Sequence, residues 1–105
     1  MINIQKMMQQ AQQVQFKMQE LQEKLKDIEV DGEAGGGLIK VVMTCDGRVK
    51  SLDVAAEAGE DKETMEDLII AAINNATDAK EARVQDETKA VMSEMGLPED
   101  AKLPF

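Results

Sequence analysis

From Ile4 to Ile28, the apolar residues Ile4, Met7, Ala11, Val14, Met18, Leu21, Leu25 and Ile28 follow one another at spacings that alternate between three and four. Alternation of that kind marks the a and d positions of a heptad helix with one apolar stripe. The glutamines fall on the other positions. Glutamine-rich stretches are often low-complexity coil, but such a coil has no reason to keep this register, and glutamine is a good helix former. The spacing therefore predicts a long N-terminal helix, about 38 Å at 1.5 Å per residue. A helix of that length overhangs a small body, so its stripe needs another helix to lie against. Three partners are open: its twin in a second chain, the chain's own C-terminal helix, or the C-terminal helix of a second chain. The stripe is a packing seam, which leaves Lys6, Lys17, Lys24 and Lys26 on the other faces, with Phe16 pointing away from the seam.

After Ile28 the period changes. IEVDGE, LIKVVMT and RVKSLDVA read as three strands, and in the second Ile39, Val41 and Met43 alternate with Lys40, Val42 and Thr44. Asp46-Gly47 is a strong hairpin signal, so the strands form an antiparallel meander with one apolar face. EAGGGLIK lacks the Lys-Ser/Thr ending and the following helix of a phosphate loop, and reads as a hairpin connection. A second helix is expected from about Lys62 to Glu94, capped near Asp61. Glu63, Glu66 and Asp67 in its first turns suit the helix dipole better than a metal, for which spacing and histidine are both lacking. Met65, Leu68, Ile69, Ala72, Ile73 and Ala76 form a stripe wide enough to cover the sheet. Beyond Asn75 only Ala79, Val84, Val91, Met92 and Met95 continue a seam, so the helix is either continuous or broken in two. Gly96 ends it, and LPEDAKLPF follows as an extended tail. The pattern is α+β in a single domain over 1–105: a helical arm (1–28), a β-meander (28–56), a C-terminal helical segment (61–95) and a tail (96–105).

Composition narrows the class. Hydrophobic residues make up 43%, yet Trp and Tyr are absent, Phe occurs only as Phe16 and Phe105, and Met occurs eight times. Such a core suits helices packed on helices or on a small sheet. The net charge of −9 is uneven: residues 1–28 hold four lysines against three acids, while the rest is strongly acidic. Taken whole, that charge repels nucleic acid and anionic membrane, and only the N-terminal segment escapes it. With no His or Tyr, the usual acid–base groups are missing, so no enzyme and no cofactor are expected. Cys45 has no His to activate it, abuts Asp46, and reads as a half-buried residue beside a turn. A lone cysteine, no apolar leader and no membrane-length apolar run point to the cytoplasm.

QAQQVQFKMQELQEKL, EVDGEAGGGLIKV, VKSLDV, EDLIIAAINNA and the ending GLP…LPF, in this order and spacing, resemble the YbaB/EbfC family of bacterial nucleoid-associated proteins over nearly the full length. The resemblance implies a homodimer of α-β-β-β-α protomers whose helical arms project like tweezers. In that picture the heptad stripe packs along the second helix near Val84, Val91 and Met95. It also implies binding to double-stranded DNA with little sequence preference, in the nucleoid. The candidate DNA-binding residues are Lys6, Lys17, Lys24, Lys26, Lys80, Arg83 and Lys89. Asp78, Glu81, Asp86 and Glu87 lie among them, and Phe16 stands where the family more usually has a polar residue. Both departures predict weak, salt-sensitive binding. The alternative is an acidic dimeric adaptor that holds an unknown protein through its arms or tail.

Overall fold

The computed structural model describes residues 3–97. Helix α1 (Ile4–Leu25) leads into strands β1 (Glu29–Ala34), β2 (Ile39–Thr44) and β3 (Val49–Val54). A 3₁₀ turn (Ala56–Glu60) and helix α2 (Lys62–Glu94) complete the chain. The strands form one antiparallel sheet in the order β1-β2-β3, giving the α+β fold expected. Helix α2 is unbroken, so the break allowed for after Asn75 is absent. The expected extended tail lies, beyond Leu97, outside the described residues.

Local chemistry sets the helix ends. Asn3 caps α1 by accepting from the Lys6 amide at 3.3 Å. Asp61 caps α2 by accepting from the Glu63 and Thr64 amides and, at 2.9 Å, from the Thr64 hydroxyl. At the far end Gly96 adopts the left-handed conformation. The Leu97 amide then reaches the Met92 carbonyl at 2.8 Å and the Gly96 amide reaches Ser93, which closes the helix as a Schellman motif.

The strand register places Val30, Gly32 and Ala34 on the same face as Ile39, Val41 and Met43, with Asp31, Glu33, Lys40 and Val42 on the other. Ile39, Val41 and Met43 are buried there together with Ala58, Ala72 and Ala76. Helix α2 comes very close to β1 because Gly32 has no side chain. A Cβ at that position would lie 2.3 Å from the Ala76 nitrogen and 2.4 Å from the Ala72 oxygen. The Asn75 amide secures the contact by donating to the Glu33 carbonyl at 2.8 Å. Drawn to that side, α2 covers β1 and β2 and leaves β3 open, which corrects the expectation that its stripe covers the whole sheet. Leu52 and Val49 share the inner face with Val41 and Met43, yet remain 47% and 48% exposed.

A second core joins the helices. Met18, Leu21 and Leu25 pack with Cys45 and Met92, flanked by Val14, Ile28, Val84, Val91 and Leu97. The helices run antiparallel, and α2 ends beside Val14 and Lys17, so α1 continues past it as a free end. Among the described residues nothing covers Ile4, Met7 or Ala11 of the stripe, and Ile4 is 70% exposed. The molecule is accordingly elongated, 70 × 21 × 18 Å.

Candidate nucleic-acid interface

The arm is a two-helix segment in which α1 lies along the C-terminal half of α2. Two ion pairs cross its seam: Lys24–Glu87 at 2.9 Å and Lys17–Glu94 at 3.7 Å. They stand seven residues apart on each helix, in opposite directions, as an antiparallel heptad seam requires. Lys17 also lies 3.8 Å from Glu20, and Lys26 lies 3.1 Å from Glu23. Glu87 pairs with two cations: beside the bond from Lys24, its second oxygen accepts from Arg83 at 3.0 Å. The hydrogen bonds from Lys24 and then Arg83 hold its carboxyl below the usual carboxylate range.

Four of the seven sequence-derived candidates, Lys17, Lys24, Lys26 and Arg83, are therefore already paired with acids of the same chain. Lys6, Lys80 and Lys89 form no ion pair among the described residues. Lys6 stands near the tip of the arm. Lys80 sits at its root, its Nζ 3.9 Å from where a side chain would begin on Gly47 of the β2–β3 turn. Lys89 lies exposed on α2, and Phe16 is likewise exposed, 60%, on α1 beside the end of α2.

The structure adds two cations that the sequence reading did not name. Arg48 and Lys50 follow the β2–β3 turn and share a hollow with Lys26, Asp27, Glu29, Thr44 and Asp46. Lys50 is paired with Glu29, whose hydrogen bond raises its ammonium above the ordinary range. Arg48 is exposed and, among the described residues, unpaired. The turn is held at the exit of α1 by the Cys45 amide, which donates to the Ile28 carbonyl at 2.8 Å. Lys24, Lys26, Arg48, Lys50, Lys80 and Arg83, half of the chain's twelve basic residues, thus gather where arm meets body. A signal for this was present in the sequence. Antiparallel pairing of the first two strands brings the second hairpin turn back to the end of the first helix, and DGRVK is that turn.

Cys45, expected to be half-buried, is 2% exposed in the seam core. Burial pushes its thiol up, and Glu87 and Asp46 push the same way against the opposing pull of Arg83 and Lys80. Such a thiol is a packing residue rather than a nucleophile. Among the described residues no group of three or more His, Cys, Asp or Glu could hold a metal, and no helix is long and apolar enough to cross a membrane.

The arrangement of sheet, root and arm has a counterpart among known families. The model of the YbaB/EbfC DNA-binding family matches residues 1–95. The chain belongs to the YbaB/EbfC DNA-binding family. The match takes in both helices and all three strands, so no element of the body lies outside the YbaB/EbfC pattern. Among solved structures, the fold is similar to the crystal structure of the uncharacterized protein HP0035 from Helicobacter pylori. The TM-score is 0.72 at 23% identity, over 82% of this chain and 92% of that one.

Proposed function

We propose that this chain is a non-enzymatic protein that binds duplex DNA as a homodimer, with little sequence preference, and helps to organise the bacterial nucleoid in the cytoplasm. The observation that carries the reading is the match to a DNA-binding family over residues 1–95. The unpaired cations Lys6, Lys80, Lys89 and Arg48 are the first phosphate contacts, with the paired Lys17, Lys24, Lys26 and Arg83 behind them. Low sequence preference follows from contacts made to phosphates rather than to base edges. The second copy docks on the open half of the inner sheet face, where Val49 and Leu52 of β3 and Ile70 of α2 expose apolar surface. Two such surfaces are complementary to one another across a two-fold axis.

Fluorescence anisotropy of a labelled random-sequence duplex, titrated with the protein at low and near-physiological salt, tests the reading. Saturable binding that weakens steeply with salt is expected, with a slope of about 0.9 in log K per phosphate neutralised. Arg48→Glu with Lys80→Glu should weaken it. No binding at any salt would favour the acidic adaptor instead, a reading that the internal pairing of four candidate cations supports.

A further inference from the structure

The carboxylate of Glu87 holds two candidate phosphate-binding groups from different helices at once, Lys24 of α1 at 2.9 Å and Arg83 of α2 at 3.0 Å. The cations are the outer partners: the Lys24 and Arg83 side chains are 61% and 48% exposed, whereas that of Glu87 is 16% exposed. Each carboxylate oxygen meets one donor, so the two donors are already spaced for two oxygens of a single oxyanion. A phosphate offers that same geometry to Lys and Arg. One heptad along, Glu94 holds a single cation, Lys17 at 3.7 Å, and there the carboxylate is the more exposed partner, 65% against 39%.

We infer that Glu87, seconded by Glu94, is a built-in competitor that occupies the arm cations and sets the strength and salt dependence of DNA binding. The inference rests on the duplex-binding reading above and adds to it a mechanism at the same surface. Binding at the arm is an exchange: Lys24 and Arg83 turn outward from the recessed carboxylate to a phosphate, and Glu87 remains behind as an uncompensated charge. That charge opposes the exchange, so the arm retains DNA only where many cations act together. The free cations at tip and root have no such opposition.

The test is Glu87→Gln, alone and with Glu94→Gln, assayed by duplex anisotropy across a salt series beside the unmodified protein. The control is Asp86→Asn, which removes the same charge from an exposed position that touches no cation among the described residues. Each further phosphate neutralised steepens the slope of log K against log salt by about 0.9, or about eightfold in affinity per tenfold fall in salt. Glu87→Gln is expected to let each protomer neutralise one or two more phosphates, and Asp86→Asn none. A misfolded arm cannot imitate this result, because loss of structure lowers affinity. Binding by the unmodified protein that Glu87→Gln leaves unchanged or weakens would overturn the inference and leave the DNA reading standing. An equal rise in affinity and slope with Asp86→Asn would overturn it too, since net charge alone would then be the cause. No binding by any of the proteins would overturn both readings together. Binding by the Gln variants alone would support the competitor role and overturn duplex binding by the unmodified protein.

Discussion

At the scale of single residues, Gly32 decides where the second helix lies. The atoms that a side chain there would meet are backbone atoms of Ala72 and Ala76, which cannot swing aside as a flexible side chain would. Gly32→Ala is expected to cost about 3 kcal/mol, the upper range for overpacking a tight core, read as a lower urea midpoint with m unchanged. Asp61 acts at a helix end. The Thr64 hydroxyl, then the backbone amides, hold its carboxyl below the ordinary 3.8, and Lys24 and Arg83 hold Glu87 below the ordinary 4.5. Groups with depressed folded values stabilise fully above their unfolded values, and that stability is lost as pH falls through the folded ones. Thermal midpoints should therefore hold steady down to about pH 5 and then drop, and Asp61→Asn with Glu87→Gln should flatten the drop.

At the scale of elements, periodicity carried most of the fold. The stripe from Ile4 to Ile28 announced α1, alternation around Val41 announced β2, and Asp46-Gly47 with Gly96 marked a turn and a stop. What these signals do not contain is how one element sits on another. Ala72 and Ala76 looked like ordinary members of an apolar stripe, and only the approach to Gly32 shows that they pull α2 toward β1. The candidate site was legible as a set of cations but not as a set of pairs. Lys24 and Glu87 are 63 positions apart in the chain, and no local pattern joins them. Pairing across the arm makes charge exchange the informative experiment. Lys24→Glu should loosen the seam by placing two carboxylates face to face, and Lys24→Glu with Glu87→Lys should restore it, with a coupling of about 0.5–1 kcal/mol in a double-mutant cycle. Unfolding of each variant in urea measures that coupling without reference to any ligand. Loss of DNA binding by Lys24→Glu alone therefore does not establish a phosphate contact.

At the scale of the whole molecule, the apolar surface left on β3 is the feature that a single chain does not resolve. Leu52→Glu should leave the protomer folded, since that side chain is only half-buried within it. If the proposed homodimer forms through this face, the variant should move as a monomer in sedimentation velocity and the unmodified protein as a dimer. If both sediment as monomers, the homodimer proposal fails; if both sediment as dimers, the copies meet elsewhere. The free end of α1, with Ile4 and Met7 bare among the described residues, is then the next surface to alter.

The seven-residue repeat of the two cross-helix pairs has a consequence for size. Excise residues 18–24 from α1 and 87–93 from α2, and Lys17 takes the place of Lys24 while Glu94 takes the place of Glu87. The charged pair then recurs on an arm about 10 Å shorter, although the excision also takes Met18, Leu21 and Met92 out of the buried seam. Reach is thus graduated in fixed steps, as on a ruler, and can be shortened or lengthened without redesigning the junction at its base. In the proposed homodimer, the span between the two arms is then a quantity set by counting heptads.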